Sequence, residues 1–461
     1  MNVFVPPPIS TVPGFMWPAQ PSPAAQAMLA TLYQLELSQW WAGEAILERQ
    51  LRQLRQLVAH ALAHCPHYAN HLAEAGVGSV AELTLEKFRY WPLLSKRDIQ
   101  QAGPSFVANH VPPAHGQQRW VTTSGSTGQP LRAATTDVGV YFQHSLVLRS
   151  FLWYGVEFSA KFASIKAATQ EDTYPDWGTP ANAVFHTGPS VTYSVFKDLN
   201  SQVDWICREA PAYLLARNTS VRALIETSQR SGQVPAGLRA VLGFADMAAP
   251  DTRELVREHW NATYFDTYSC SEMGTLALEC SSHHQLHVQS EHVLLEVLRD
   301  DGTPCVPGEI GRVVVTDLHN FAMPLIRYEL NDHVRVGAGC ACGRGLPVLS
   351  QIAGRTSHLA VDPEGRRYFA HLNHGFWVTA APILQRQIVQ HTAALIEVRY
   401  VAARDLNRDE KATLSRELQA AMEYPYDIYF TRVDAIPLGA GGKYDDFKSM
   451  VGAGANTPGL G

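Results

Sequence analysis

The sequence predicts an α/β protein in which a large N-terminal domain of several subdomains is followed by a small, mobile α+β domain. Three observations support this fold class. In the first half of the chain, strand-like apolar runs alternate with helical patterns, which predicts layered α/β sheets with largely parallel strands. After Glu272, short strands separated by turn residues predict a β-rich subdomain. Near the C-terminus, a strand, an amphipathic helix and a second strand predict the small separate domain.

The 461 residues are enough for roughly two to four domains. Residues 1–25 are rich in proline and predict an extended arm. The N-terminal domain is placed at 26–354 and the C-terminal domain at 355–451, with 351–360 as the linker between them. Residues 452–461 are rich in glycine and predict a flexible tail.

Helical periodicity begins in the N-terminal region and returns after a predicted β-hairpin. Apolar residues recur at helical spacing from Met28 to about His64. A shorter helix is predicted over 68–75, and Ser95 is placed as the cap of the next helix. A long, mostly buried helix is predicted over 138–153.

The remaining predicted elements follow the three patterns in order. The alternating part has strands 162–167, 239–244 and 263–268, with helices 195–209, 220–231 and 251–260 between them. The β-rich part has strands 293–298, 311–317, 325–330 and 333–336. The C-terminal domain has strands 395–402 and 426–433, with helix 408–422 started by Asn407.

Composition and charge limit the class of protein. The chain is 46% hydrophobic and carries a net charge of −6, which gives no support to a nucleic-acid or anionic-membrane partner. No apolar run is long enough for a transmembrane helix, and the proline-rich start does not resemble a signal peptide. Seven cysteines in a long chain of this kind predict a reducing, cytoplasmic location. A homodimer is compatible with these properties.

A segment rich in hydroxyls and glycine, at 122–128, is the first candidate site. Its glycines allow the backbone to approach an anion closely, and its Ser, Thr and backbone N–H groups can donate to phosphate oxygens. It is not a Walker A loop, and its flanks, 119–122 and 131–135, predict a hairpin. Such a cluster is also typical of a polar surface turn. The candidate phosphate ligands are Thr123, Ser124, Gly125, Ser126, Thr127 and Gly128.

The second candidate site is a turn at the end of a predicted strand. Ser271 and Glu272 lie in this turn, which Gly274 closes, and open α/β sheets bind ligands at the carboxyl ends of their strands. A carboxylate there suits Mg²⁺, which takes one or two carboxylates together with phosphate oxygens. A solvated turn glutamate is the alternative interpretation.

Asp332, Arg355 and Lys443 are further candidates in the second half of the chain. Asp332 follows an apolar strand and could accept hydrogen bonds from a ribose diol. Arg355 could pair with a phosphate through its planar guanidinium, and an ordinary surface ion pair is the alternative for both residues. Lys443 ends the glycine-rich segment 437–443, from which a lysine can enter another domain's site and stabilise developing negative charge. A lysine in a flexible tail is the alternative.

The order and spacing of these segments resemble the adenylate-forming superfamily of acyl-CoA synthetases, luciferases and adenylation domains. Thr123 to Pro130 resembles its signature loop. Residues 268–272 resemble its Tyr-Gly-x-Thr-Glu motif, and residues 327–332 resemble its Tyr-Arg-Thr-Gly-Asp region. Residues 354–355 resemble its hinge motif, and Lys443 resembles its C-terminal lysine. Within the superfamily the chain is most similar to the branch of phenylacetate-CoA ligases and CapK-like capsular-biosynthesis proteins. The segments that carry this similarity are 51–96, Glu279-Cys280, Leu286-His287 and 340–344.

The resemblance implies an AMP-forming ligase that activates a small aromatic or short acyl carboxylic acid as acyl-AMP, with ATP and Mg²⁺ and release of pyrophosphate. The acyl group would then pass to CoA or to a carrier-protein thiol. An amide-forming ligase with an amine acceptor, an adenylyltransferase and a degenerate nucleotide-binding regulator are the alternatives. The resemblance implies that residues 124–128 and Ser271 contact the ATP phosphates and that Glu272 binds Mg²⁺. It places Ala245 and Asp246 beside the adenine and acyl pocket, and Tyr268 in the nucleotide motif. Asp332 would contact the ribose with Arg355 assisting, and Lys443 would lie between the attacking carboxylate and the α-phosphate.

A structural zinc site is also implied, because some related ligases have a metal at matching positions. Cys280 and His287 form a Cys-x6-His pair, and Cys340 and Cys342 form a Cys-x-Cys pair, which together could complete a tetrahedral Cys3His site. Four reduced, partly buried side chains are the alternative. Three nearby histidines could replace His287 as the fourth ligand: His283, His284 and His292.

The sequence departs from the family pattern at several positions. Ser269 and Asn331 replace glycines of the family motifs, and Ser357 replaces the usual Asp or Lys after the hinge arginine. A basic residue of the phosphate loop lies one position later than in many relatives, at Arg132, which in a strand would place it on the opposite face. Segment 359–367 looks CapK-like, so the acceptor of the acyl group stays open.

Overall fold

The computed structural model describes residues 6–122, 131–168, 170–355, 359–369, 377, 380–437 and 447–451. The chain forms two compact units, each with its own hydrophobic core. The first unit contains Met1–Leu330 and Val334–Ile352, and the second contains Asn331–His333 and Ala353–Gly461. None of the helices within the described ranges is long and apolar enough to cross a membrane.

The elements have the following bounds. The helices are α1 Pro23–Ser38, α2 Gly43–His64, α3 His71–Glu74, α4 Leu85–Phe88, α5 Lys96–Ala102, α6 Asp137–Trp153, α7 Leu199–Glu209, α8 Asn218–Ser231, α9 Thr252–Trp260 and α10 Arg408–Ala421. The strands are β1 Gln118–Thr122, β2 Arg132–Thr136, β3 Phe162–Lys166, β4 Asp172–Tyr174, β5 Ser190–Ser194, β6 Tyr213–Arg217, β7 Ala240–Phe244, β8 Thr263–Cys270, β9 Gly274–Glu279, β10 Leu286–Val288, β11 Val293–Leu298, β12 Ile310–Asp317, β13 Tyr328–Val336, β14 Val348–Arg355, β15 Leu359–Val361, β16 Arg367–Phe369, β17 Ile383–Gln390, β18 Leu395–Ala402, β19 Asp427–Arg432 and β20 Phe447–Ser449.

The N-terminal helices form as their sequence patterns predict. The helical pattern of 28–64 consists of two helices, α1 and α2, and α1 already begins at Pro23 because the Ser22 side chain accepts a hydrogen bond from the Ala25 N–H. The predicted cap of α5 is confirmed: the Ser95 hydroxyl accepts from the Asp98 N–H, and the Asp98 carboxylate accepts from the Ser95 N–H.

The alternating part of the sequence forms a parallel sheet, as predicted. Neighbouring strands β5, β3, β6, β7 and β8 run parallel, and α7, α8 and α9 connect successive strands from β5 to β8. Apolar residues of these helices and strands share one core cluster with Trp205, Val221 and Trp260 fully or almost fully buried. This layered arrangement confirms the predicted α/β class.

The β-rich part continues this sheet. Strand β8 pairs in parallel with β7 through its first residues and antiparallel with β9 through its last residues, Thr267 to Cys270. A single sheet of twelve strands results, in the order β11-β12-β13-β14-β10-β9-β8-β7-β6-β3-β5-β4. The sequence could not reveal this continuity, because nothing local marks one strand as shared between two pairing patterns.

Two predicted strands, 325–330 and 333–336, are wrong in detail, because the structure has the single strand β13 there. Residues Leu325 to Arg327 precede it as irregular chain, and Arg327 has a φ of 52°. The sequence also missed ten of the strands in the described part of the chain: β4, β5, β6, β9, β10, β14, β15, β16, β17 and β20. Several of these are short or carry Gly, Ala, Ser and Gln, residues whose strand conformation is decided by pairing more than by propensity.

The second unit contains a four-stranded sheet in the order β19-β18-β17-β20. Strands β17 and β18 are antiparallel, whereas β19 and β20 add in parallel at the two edges. Helix α10 begins at the predicted cap, where Asn407 and Glu410 form a reciprocal capping box, and it buries Leu414 and Leu418. The predicted α+β character of this unit is confirmed.

Candidate functional site

The six candidate phosphate ligands, Thr123 to Gly128, lie outside the described residues. The hairpin that flanks them is confirmed, since β1 and β2 pair antiparallel with Thr122 opposite Arg132. Leu131 is buried, whereas Arg132 is exposed and places its guanidinium carbon 4.3 Å from the centre of the Trp120 ring. The displaced basic residue therefore points away from the core and contacts an aromatic face.

The second strand of this hairpin is held firmly by the core. The side chain of Asn320 donates to the Ala134 carbonyl at 2.8 Å. Directly after the strand, Thr136 caps α6 by accepting from the Gly139 N–H at 3.3 Å. Asp137 accepts from the Gln117 N–H at 2.9 Å, and these bonds fix the open end of the hairpin, where Gln118 pairs with Thr136.

The turn with Ser271 and Glu272 follows β8 as predicted. Glu272 is half-buried, and its Oε1 accepts a long hydrogen bond of 3.4 Å from the Tyr328 hydroxyl. Gly274 has a φ of 77°, and a Cβ there would lie 2.8 Å from Cγ of Gln143 on α6. Only glycine fits this turn without strain, because both the left-handed backbone and the close approach exclude a side chain.

The backbone before this turn explains one departure from the family pattern. The register of β8 against β9 shifts between Tyr268 and Ser269, which marks a β-bulge where the family has a glycine. Tyr268 itself is buried in the main core of the first unit. Its placement there makes it a packing residue beneath the turn.

Ala245 and Asp246 follow β7, one strand away from β8 in the sheet. Ala245 has a φ of 76°, a left-handed conformation that costs an L-residue about 1–2 kcal/mol. The Asp246 carboxylate accepts hydrogen bonds from the N–H and the hydroxyl of Thr219, at 3.0 and 2.8 Å, and lies 3.9 Å from Arg217. The Asp246 carboxylate thus stabilises the start of α8. The Asp246 backbone directly follows Ala245, the residue with the left-handed φ.

Asp332 and Arg355 are brought together in the second unit, although 22 residues separate them in the sequence. Arg355 Nε lies 3.3 Å from Asp332 Oδ1, and only 13% of the Asp332 side chain is exposed. The preceding residue, Asn331, has a φ of 59°, which glycine adopts freely and asparagine tolerates better than most residues. The replacement of a family glycine by Asn331 is therefore compatible with the same backbone. Lys443 and Ser357 lie outside the described residues.

A network of carboxylates on β8 and β9, formed by the half-buried Asp266 and the buried Glu279, was missed in the sequence. Asp266 Oδ1 accepts from the Asn218 side chain at 2.8 Å, and Glu279 Oε2 accepts from the Asp266 N–H at 2.7 Å. Burial, with a smaller contribution from the charge of Glu279, raises the pKa of Asp266 to about 7. Glu279 also pairs with Arg253 at 2.6 Å and with His284 at 2.7 Å. The strand alternation of β8 could have indicated that Asp266 shares a face with the buried Tyr264 and Tyr268, but not which residues surround its carboxylate.

The four predicted zinc ligands converge on one point of the first unit. One ligand atom each from Cys280, His287, Cys340 and Cys342 lies within 4.8 Å of the other three. Cys280 follows β9, His287 lies on the neighbouring strand β10, and the two remaining cysteines lie in the turn between β13 and β14. His292, which the sequence left open as a substitute ligand, is not in this group.

The two turn cysteines of this cluster have pKa values shifted in opposite directions. Burial, followed by the charge of Arg344, lowers the pKa of His287 to about 4, so its imidazole is neutral. Burial opposes ionisation of Cys342, but hydrogen bonds from the Arg344 backbone and from Cys340 outweigh it and lower its pKa. Burial raises the pKa of Cys340 to about 12. Three sulfurs and one imidazole nitrogen at this spacing are the donor set of a closed zinc site.

No family model matches the chain. Among curated proteins, the phenylacetate-coenzyme A ligase of Thermus thermophilus is 26% identical over 343 residues, which cover 72% of this chain and 74% of the relative. The enzymes of the same name from Pseudomonas putida and Escherichia coli are 23% and 25% identical, over 69% and 68% of this chain and 72% and 71% of the relatives.

The fold is shared with solved structures of CoA ligases. A 2-hydroxyisobutyryl-CoA ligase in the postadenylation state, in complex with 2-HIB-AMP, matches with a TM-score of 0.72 at 17% identity and covers 89% of this chain and 91% of that one. An anthranilate CoA ligase in complex with anthranoyl-AMP matches with a TM-score of 0.53 at 14% identity, over 70% of this chain and 65% of that one. The resemblance found in the motifs is thereby confirmed: this chain is similar to curated phenylacetate-coenzyme A ligases and shares the fold of solved CoA ligases.

Proposed function

We propose that this chain is an AMP-forming carboxylate–CoA ligase for a small aromatic or short acyl acid. The observation that carries this proposal is the agreement of three curated relatives on one activity, each aligned over about 70% of both chains. The bound 2-HIB-AMP and anthranoyl-AMP of the structural neighbours are acyl adenylates of a short hydroxy acid and an aromatic acid. They support both halves of the proposed substrate range.

The proposed reaction has two steps. In the first, a carboxylate oxygen attacks the α-phosphorus of ATP and the bond to the β,γ-pyrophosphate breaks, which leaves acyl-AMP and pyrophosphate. In the second, the thiol of CoA attacks the acyl carbon, loses its proton, and AMP leaves. Neither step needs a covalent bond to the protein, so positioning and neutralisation of charge dominate catalysis.

The first unit would supply the phosphate and magnesium contacts. Residues 124–128 and Ser271 would hold phosphate oxygens, and Glu272 would bind Mg²⁺, which would neutralise phosphate charge. The rigid hairpin base and the Gly274 turn support this assignment, because a preorganised site loses less free energy on binding. Ala245 and Asp246 would lie beside the adenine and acyl pocket through their backbone, since the Asp246 carboxylate already stabilises α8.

The second unit would supply the ribose contact and the catalytic lysine. The Asp332–Arg355 ion pair supports a role of Asp332 at the ribose hydroxyls, because the pair orients the carboxylate and carboxylate oxygens accept hydrogen bonds. Lys443 would bridge the attacking carboxylate and the α-phosphate.

The aromatic residues around Trp177 in the first unit pack against one another and against a hydrophobic core. Trp177 packs against Phe151, Phe158 and Phe162 and donates its indole N–H to the Ala160 carbonyl at 2.9 Å. These rings form a structural cluster. The identity of the acid is therefore a question for a substrate screen.

The experiment is a pyrophosphate-release assay over aromatic and short acyl acids, with CoA, a carrier protein or an amine as acceptor, followed by mass analysis of the product. We expect acid-dependent release with the wild type, an acyl-CoA product, and at least a 100-fold lower rate in Lys443→Ala. Lys448→Ala is the matched control, because Lys448 lies in the same unit on β20. An amide or an adenylylated product would assign the alternative reaction class, and no release with any acid would refute the proposal.

We further propose that Cys280, His287, Cys340 and Cys342 bind one structural zinc ion, which would tie the β9–β10 hairpin to the turn after β13. The convergence of their ligand atoms on one point supports this. Elemental analysis of purified protein should find zinc that the Cys340→Ser/Cys342→Ser variant loses. A Cys207→Ser variant, which removes a cysteine outside the cluster, should keep it. Zinc-free wild type, or a double variant with unchanged zinc, would contradict the assignment.

A further inference from the structure

A second group of potential ligands lies close to the Ser271–Gly274 turn. One ligand atom each from His292, Asp317 and His319 lies within 4.8 Å of the other two. The sheet register explains why they meet: Asp317 ends β12 opposite Val293 of β11, so that His292 comes directly before its partner and His319 follows two residues later. The Leu318 N–H donates to the His292 carbonyl at 3.1 Å and closes this corner.

Two residues of the group are buried, and one ring nitrogen of each histidine lacks a hydrogen-bond partner in the described part of the chain. His292 and Asp317 are 1% and 3% exposed. The Nδ1 atoms of His292 and His319 are both buried with no hydrogen-bond partner in the described part of the chain. Burying a ring nitrogen without a hydrogen-bond partner costs about 1–3 kcal/mol of folding free energy. A ligand bound by both nitrogens and by the carboxylate would remove this cost.

The hydrogen bond of His292 fixes which of its nitrogens can bind a ligand. Nε2 lies 2.8 Å from the Met273 carbonyl oxygen, which can only accept, so Nε2 carries the proton. In the neutral ring the lone pair is then on Nδ1, 3.9 Å from Asp317 Oδ1. This separation is too long for a direct hydrogen bond. It is within the roughly 4.2 Å that two bonds of about 2.1 Å to one metal ion can span.

The neighbouring aromatic ring holds the third ligand in place. Phe142 of α6 stacks on His319 with ring centres 3.7 Å apart and planes 9° apart. The His292 and His319 rings are parallel within 1° at 5.9 Å. Asp317 Oδ1 also accepts a hydrogen bond from the backbone N–H of His319 at 3.0 Å, which orients the carboxylate. Each potential ligand is thus fixed by a second contact, as ligands of metal sites usually are.

We propose that His292, Asp317 and His319 bind a divalent first-row transition metal, zinc being the commonest such ion with this donor set, at a site separate from the cysteine cluster. Two imidazoles and one carboxylate favour this class over Mg²⁺ and Ca²⁺, which prefer oxygen ligands. A metal on Nδ1 makes the Nε2–H of His292 a stronger donor to the Met273 carbonyl. The ion therefore connects the end of β12 to the turn that carries Glu272 and positions that turn.

The test is the metal content of purified wild type and variants after growth and dialysis with zinc. We expect His319→Ala and Asp317→Asn each to lose about one equivalent per chain relative to the wild type, and the loss to add to that of Cys340→Ser/Cys342→Ser. His115→Ala is the matched control and should lose none, because His115 lies beside Phe321 in the same region but outside the group. Unchanged metal in both His319→Ala and Asp317→Asn would overturn the proposal.

A second measurement does not depend on whether the variants fold. Crystals of zinc-supplemented wild type, measured above and below the zinc absorption edge, should show an anomalous peak between the three side chains. The absence of that peak would also overturn the proposal. Both readouts are independent of catalytic activity, so failure of the proposed ligase function would leave them unaffected.

Discussion

Gly274 offers a quantitative test of how tightly the turn with Glu272 is packed. In Gly274→Ala the new alanine has to adopt a φ of 77°, which costs about 1–2 kcal/mol. Its Cβ also lies 2.8 Å from Cγ and 3.1 Å from Cδ of Gln143. Such crowding typically costs a further 1–3 kcal/mol or so. The variant should therefore lower the free energy of unfolding of the first unit by about 2–5 kcal/mol.

The matched control is Gly302→Ala. Gly302 has a similar φ of 82°, but no atom lies within 4 Å of its added Cβ. The backbone cost and the reduced entropy of the unfolded chain are shared by both variants, so the difference between them isolates the contact with Gln143. Urea denaturation followed by tryptophan fluorescence measures both free energies.

The contact itself can be removed in a third variant. Gln143→Ala in the Gly274→Ala background deletes Cγ and Cδ and leaves Cβ at 3.5 Å, an ordinary van der Waals distance. We expect the double variant to regain most of the difference between Gly274→Ala and Gly302→Ala. Equal destabilisation in the two single variants, or no recovery in the double variant, would refute the reasoning.

Three further predictions concern the buried charges. Burial raises the pKa of Asp266 to about 7. Between about pH 4 and 7 the folded state therefore keeps a proton that the unfolded state has released. The free energy of unfolding should then fall by up to about 1.4 kcal/mol for each pH unit of increase in that window. Thermal unfolding of Asp266→Asn should show a flatter pH dependence in that window, and an unchanged slope would contradict this. Arg327 is buried, pairs with Glu296 and donates to the Trp91 carbonyl, so Arg327→Lys should cost about 3 kcal/mol in urea denaturation, whereas the exposed Arg257→Lys should cost almost nothing. If Asp332 accepts hydrogen bonds from the ribose, Asp332→Asn should raise the KM for ATP about 10-fold or more. Asp405→Asn, in the same unit, is the control and should leave this KM unchanged. The same KM for Asp332→Asn as for the wild type would show that Asp332 does not contact the ribose.

Much of the fold was predictable because local patterns agree with the final structure. The capping residues Ser95 and Asn407 begin the helices expected of them, and the strand over 293–298 has the bounds that its apolar run indicates. Strand β14 was not predictable, because its conformation depends in part on pairing with β10, which lies far away in the sequence. The same holds for β8, whose two halves pair with partners of opposite direction.

The candidate site divides in the same way. The sequence by itself determined the superfamily, because the hydroxyl-rich loop, Glu272, Asp332, Arg355 and Lys443 follow one another in a fixed order along the chain. The tertiary structure decided which side chains meet: the Asp332–Arg355 ion pair, the four-residue cysteine and histidine cluster, and the group of His292, Asp317 and His319. Motif order is a property of the chain alone, whereas contacts between distant residues depend on strand register and on which groups burial deprives of water.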